Sequence, residues 1–125
     1  MVNENNDDKK ILKDIFIGSL ELADPAKKLE KMKFDPPLGR IFFVAVGKGA
    51  GRLAKAFFKT YKEKADGIVV IPENEKCDNL GFEVIKATHP IPSQKGLDAS
   101  SKLLKAISKL GKDDLLIFCI SGGAS

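Results

Sequence analysis

Hydrophobic positions along this chain change period several times, and each change marks an element. Between residues 8 and 23, Leu12, Ile15, Phe16 and Leu20 recur at helical spacing and predict a helix. Asp24 followed by Pro25 reads as an N-cap with proline at the first position of a second helix. The stretch FDPPLG at 34–39 ends helical structure, because Pro36 pushes Asp35 away from helical angles and proline cannot feed the hydrogen-bond ladder. The run IFFVAV at 41–46 is continuously apolar and ends in glycine, which predicts a strand buried on both faces of a parallel sheet. Ala50, Leu53, Ala54, Phe57, Phe58, Tyr61 and Ala65 then form one helical stripe with lysines opposite.

Asp66 and Gly67 read as a turn into a second strand at 68–71, IVVI. A polar stretch with Pro72, Asn74 and Asn79 leads to a third strand at 82–87. After HPIPS, Ser93 is placed to cap a helix whose Leu97, Leu103, Leu104, Ile107 and Leu110 face inward, with Gly111 as its stop. The run LLIFCI at 115–120 is the last strand. Strands alternating with helices predict an α/β fold, a parallel sheet with helices on both faces and right-handed crossovers. Residues 1–39 form a helical segment before it, and 40–125 hold the strands, with no repeat and no internal linker. In such sheets ligands bind outside the carboxyl ends of the strands, and both glycine-rich stretches, GKGAG and SGGAS, leave strands at that edge.

Composition narrows the class without changing it. The chain has 125 residues, 43% hydrophobic and 30% charged, which suits an ordinary globular domain. Its formal charge of +4 is concentrated on Arg52, Lys55, Lys59, Lys62 and Lys64, opposite the apolar stripe. No base-stacking aromatics accompany these cations, so they read as a solvated face rather than a nucleic-acid surface. Cys77 and Cys119 are too far apart in sequence to suggest a zinc pattern or a disulfide framework, which fits a reducing cytoplasm. The polar residues 1–10 lack the form of a signal peptide, and no apolar run approaches a membrane span.

The loop Gly47, Lys48, Gly49, Ala50, Gly51 joins a strand to a helix. Its glycines permit close backbone approach, the helix N-terminus supplies N–H donors and Lys48 supplies a point charge, so phosphate or carboxylate is the natural ligand. It is neither a Walker A loop nor the G-x-G-x-x-G of dinucleotide binders. The bland alternative is that glycine merely allows tight packing while Lys48 points to solvent. His89, the one histidine, reads as a structural hydrogen-bonder and is assigned no metal. Glu73 stands roughly where a ribose-binding acid follows a dinucleotide loop, yet Pro72 and the glycine spacing make an ordinary loop glutamate the better reading.

The ordered set VAVGKGAGRLAKAF, IVVIP, THPIPSQKGLDAS and DDLLIFCISGGAS resembles the N-terminal part of the glycerate 2-kinase family, two-domain enzymes that carry a MOFRL domain. The similarity runs from about Ile41 to the last residue. It implies ATP-dependent phosphorylation of D-glycerate to 2-phosphoglycerate with Mg2+, in a cleft between a Rossmann-like domain and a second domain. Lys48 matches the family's active-site lysine. Gly47 and Gly49 flank it, and Ser121, Gly122, Gly123 and Ser125 match the serine-glycine loop lining the same cleft, with no resident metal ligands among them. Ala124 stands where the family usually has a third glycine. The resemblance also implies that the second domain and an active-site arginine are absent, so that this chain is a fragment, inactive alone, awaiting its missing C-terminal part; it leaves a homodimer open.

Two rival readings remain. A phosphosugar-binding module of sugar-isomerase type also carries a GKS-like turn, but it usually follows the lysine with a hydroxyl residue where this chain has Gly49, and it has no reason to show HPIP. The other is a non-catalytic half whose sheet edge docks on a separately encoded C-terminal part.

Overall fold

The central strand is the one with no exposed residue. In the computed structural model, which describes residues 4–61 and 65–122, β1 (Ile41–Val46) pairs in parallel with β2 (Ala65–Pro72) on one side and β4 (Leu115–Ile120) on the other. β3 (Glu83–Ala87) adds to β2, giving the order β3-β2-β1-β4. All pairings are parallel, as the continuous apolar runs predict. Helices α1 (Glu4–Ala23) and α2 (Pro25–Lys31) precede the sheet, α3 (Ala50–Thr60) joins β1 to β2, and α4 (Gln94–Ile107) joins β3 to β4.

The helices lie on opposite faces for a topological reason. The chain moves one way from β1 to β2 and the other way from β3 to β4, and a right-handed crossover travelling in the reverse direction must pass over the reverse face. On one face Phe43, Ala45, Val69 and Ile71 pack against Leu53 and Phe57 of α3 and Leu29 of α2. The Phe43 and Phe57 rings stack with centroids 4.3 Å apart. On the other, Phe42, Val44, Ile68 and Val70 meet Ala99 and Leu103 of α4. Arg52 of α3 donates to Asp24 at 2.7 Å, while Asp24 also accepts from the Ala26 N–H as the N-cap of α2. The solvated cationic face is thus partly paired with acids, Lys55 with Asp78 and Lys59 with Glu30; Lys62 and Lys64 lie outside the described residues.

Several boundaries differ from the pattern-based expectation. Helix α3 stops at Thr60, and Ala65 belongs to β2 rather than to the helical stripe. Asp66 and Gly67 are strand residues opposite Phe42 and Phe43, not a turn. Glycine is needed there by proximity: a Cβ at Gly67 would stand 2.3 Å from the Phe43 carbonyl oxygen and 3.0 Å from the Phe82 ring. In α4, Leu97 and Leu104 are 64% and 69% exposed instead of facing inward. They are one heptad apart on a separate stripe, while the turn that meets the sheet carries Ala99, Leu103 and Ala106. Helix α1 forms as expected, but its apolar residues, Phe16 among them at 63%, are exposed. Leu116, Phe118 and Ile120 of β4 share the α4 face with Phe42, Val44 and Val46 and are left uncovered. Among the described residues no helix is long and apolar enough to cross a membrane.

The amino ends of β1 and β4 are tied by one carboxylate. Asp114 accepts from the Arg40 N–H at 2.9 Å and the Gly111 N–H at 2.8 Å. These two N–H groups, ahead of the Arg40 charge, hold its carboxyl below the ordinary value. A carboxylate with a depressed folded pKa stabilises above the unfolded value, about 3.9, and loses that contribution as pH falls through the folded pKa. Asp114→Asn should therefore melt lower at pH 7 and lose less on acidification from pH 5 to pH 2 than the native chain. Parallel melting curves across that range check it; equal slopes would remove Asp114 from the account.

Candidate functional site

The candidate site lies where the direction of strand addition reverses. β1 and β4 are neighbours, with Val46 opposite Ile120, so the loops that leave them emerge side by side. This is the switch point at which open parallel sheets place their ligand crevice. The Gly47–Gly51 stretch and Ser121 and Gly122, the described part of the second glycine-rich stretch, are thereby brought to one rim.

The strand ladders continue into the loops. The Gly47 N–H donates to the Val70 carbonyl at 3.0 Å, and the Ser121 N–H donates to the Val46 carbonyl at 2.9 Å. Gly47 has φ +114°, a conformation that a side chain would strain, and so turns the chain sharply off β1. The Ala50 N–H returns to the Gly47 carbonyl at 3.1 Å, which sets the start of α3 with Gly49 as its N-cap. The loops then lock together: the Gly49 N–H donates to Ser121 Oγ at 3.1 Å. Ser121 is buried at 6% exposure. A Cβ at Gly49 would come within 3.2 Å of Ser121 Cβ, so glycine is what allows the loops to approach this closely.

Lys48 sits between these fixed points with an exposed side chain. The first turn of α3 leaves backbone N–H groups without intrahelical acceptors, and their partial positive charge adds to that of the lysine. An anion at this rim would meet an exposed ammonium on hydrogen-bonded backbone. Gly122 has open space around its Cα. Gly123, Ala124 and Ser125 lie outside the described residues, so the far half of the serine-glycine loop carries no geometric statement.

Other sequence candidates are accounted for locally. Glu73 pairs with Lys95, and its N–H donates to the Ala87 carbonyl at 3.0 Å, an arrangement that occupies the carboxylate away from the loop after β1. Cys77 and Cys119 are separate thiols. Burial pushes both up, with Asp78 adding to the effect at Cys77, which keeps them protonated and poorly nucleophilic near neutrality. His89 lines a cavity of about 350 Å³ that pattern reasoning missed. The cavity lies between the carboxyl ends of β1, β2 and β3 and the first turns of α4, and Val46 and Gly47 form the wall it shares with the loop. Its sequence signal was the small residues Gly96, Ala99 and Ser100 that line it, which cannot fill the space between helix and sheet.

A parallel α/β domain with two small-residue loops joined at its switch point is the class that the fold and rim define. The chain belongs to the family described as a domain of unknown function, DUF4147, matched over residues 11–125, and it aligns with part of the length of glycerate 2-kinases, the family that its motifs resemble. It is 30% identical over 119 residues to the D-glycerate 2-kinase of Thermotoga maritima, covering 94% of this chain and 28% of that protein. A glycerate 2-kinase of Sulfurisphaera tokodaii is 36% identical over 89 residues, 71% of this chain and 22% of its relative. A protein of Agrobacterium vitis that carries the provisional name hydroxypyruvate reductase is 30% identical over 118 residues, 94% of this chain and 27% of its own length. The crystal structure of a Pyrococcus horikoshii protein has the same fold, with a TM-score of 0.79 at 23% identity over 92% of this chain and 29% of that one. The chain thus spans less than a third of the length of each of these relatives.

The lock between the loops makes a stability prediction. Ser121→Ala removes the acceptor of the Gly49 N–H in a half-buried place, which should cost about 1–2 kcal/mol. Urea unfolding of the two proteins measures it, and an unchanged midpoint would mean that the contact does not hold the loops.

Proposed function

We propose that this chain supplies the lysine-bearing wall of an ATP-dependent glycerate 2-kinase site, with D-glycerate as phosphoryl acceptor. The observation that carries the reading is the pairing of Lys48 with a backbone lock, Gly49 N–H to Ser121 Oγ, at the switch point of the sheet. Phosphoryl transfer demands little covalent help from protein; it demands positioned reactants and neutralised phosphate charge. Lys48 and the first N–H groups of α3 are suited to neutralisation, and Gly47, Gly49, Ser121 and Gly122 let phosphate oxygens approach the backbone. In the transfer itself, an acceptor hydroxyl oxygen forms the new bond to the terminal phosphorus as the bond to the bridging oxygen breaks, ADP leaves with that bonding pair, and the hydroxyl proton is released to solvent.

Magnesium is a different matter. Gly47, Lys48, Gly49, Ser121 and Gly122 include no carboxylate or imidazole, and the described residues contain no group of three or more metal-ligating side chains. These residues do not fit a resident Mg2+. The reductase name borne by some relatives finds less support than the kinase name borne by others: the glycine spacing is not that of a dinucleotide loop, and Glu73 is engaged by Lys95. A phosphosugar module is also disfavoured by Gly49, although Ser121 brings a hydroxyl to that place from the neighbouring loop.

Because the chain covers 28% of the Thermotoga maritima kinase, catalysis is proposed for the protein extended to the length of its relatives, and the chain alone should form no glycerate-dependent ADP. In the extended protein, Lys48→Ala should lower turnover about a hundredfold, on the order of 3 kcal/mol of transition-state stabilisation. Lys59→Ala, which removes an exposed partner of Glu30, should leave it nearly unchanged. Steady-state kinetics with thermal melts decide the matter. Near-native turnover of both variants would return Lys48 to the solvent and the glycines to a packing role.

A further inference from the structure

We infer that the cavity beside the loop seats the nucleoside of the phosphoryl donor, leaving the β1–β4 crevice for its phosphates. The inference rests on the kinase reading and adds which ligand group goes where. A cavity of about 350 Å³ falls in the range of about 300–1,000 Å³ that suits drug-sized ligands, well beyond the needs of a three-carbon acid.

Chemistry points the same way as size. The walls are mainly apolar, with Ile71, Pro72, Ala87, Pro90, Leu97 and Leu103 among them, and no Asp, Glu, Lys or Arg contributes. His89 is the titratable side chain among the lining residues, and a carboxylate-bearing acceptor would meet no lysine or arginine there to offset its desolvation. An uncharged aromatic base would instead gain apolar burial and dispersion contacts. Thr88 and Ser93, whose hydroxyls are joined by a hydrogen bond, line the cavity with His89 and Ser100 and offer polar groups that orient such a ligand. Continuity completes the assignment. Val46 and Gly47 belong both to the cavity wall and to the turn that carries Lys48. A molecule with an apolar end in the cavity therefore needs only to pass Gly47, which has no side chain, to bring an anionic tail to Lys48 and Ser121.

Gly96 provides the test. It lines the cavity, and a Cβ added there meets nothing within 4 Å, so a larger side chain can enter the void without displacing backbone. The cavity is lined by this chain alone, so calorimetric titration of the 125-residue chain with adenosine, inorganic tripolyphosphate, ATP and D-glycerate is the experiment. Gly96→Phe should weaken adenosine and ATP at least tenfold and leave tripolyphosphate unchanged, while Lys48→Ala should do the opposite to adenosine and tripolyphosphate. Gly96→Ala, which adds one methyl group, should bind like the native chain, and Gly96→Leu should fall between, so a graded series guards against a misfolded phenylalanine variant. Adenosine binding that ignores Gly96→Phe, or no adenosine binding at all by the native chain, overturns the assignment, as does selective loss of D-glycerate binding in Gly96→Phe. If nucleoside binding follows Gly96 but the extended protein transfers no phosphate to D-glycerate, the cavity assignment stands and the kinase reading falls. If glycerate kinase activity is present while nucleoside binding is indifferent to Gly96, the reverse holds.

Discussion

Strand β1 has parallel neighbours on both sides, and the rest of the structure depends on that position. A strand so placed must be apolar on both faces, as Phe42, Phe43, Val44 and Ala45 are, all nine-tenths or more buried. Because β2 and β4 flank it, the chain must cross the sheet in opposite directions, and one crossover handedness then sends α3 and α4 to opposite faces. No helix can cover the gap at the carboxyl ends of β1 and β4. The crevice is thus a consequence of topology, and the loops need only be small enough to meet in it.

Their meeting has a further effect on chemistry. Ser121 Oγ takes the Gly49 N–H, so that donor is spent on architecture and the remaining N–H groups of the α3 first turn are held in fixed orientation. In the proposed kinase site, such preorganised dipoles would need no rearrangement when phosphate charge shifts, which is where most of an electrostatic catalyst's advantage arises. The uncovered apolar rows of α1 and β4, Phe16 and Phe118 among them, are of a kind that folded proteins seldom leave to water.

Strands β1 and β4 could be read from the sequence to the residue, because each is a continuous apolar run with a polar or glycine boundary. Boundaries failed where a residue type serves two elements: Ala65 continues the α3 stripe in phase yet starts β2, and Gly67 looks like a turn yet is required by the Phe43 carbonyl. Leu97 and Leu104 show that an apolar residue in a helix need not face the sheet when a second stripe is present. Of the site, Gly47, Lys48, Gly49 and Ser121 were legible as loop residues at one edge. The hydrogen bond that joins them was not, because it depends on strand order. The cavity was hidden for a related reason: a void is the space that Gly96, Ala99 and Ser100 fail to fill, and it exists only once α4 is laid on the sheet.

The central claim is that phosphate oxygens settle in the β1–β4 crevice. Backbone amide chemical shifts of the chain titrated with tripolyphosphate test it most directly. The account requires the largest changes at Gly47, Lys48, Gly49, Gly51 and Ser121, with little effect at Lys59 and Lys102 on the outer helix faces. Changes spread evenly over the exposed lysines, with the Gly49 and Ser121 amides unmoved, would contradict it.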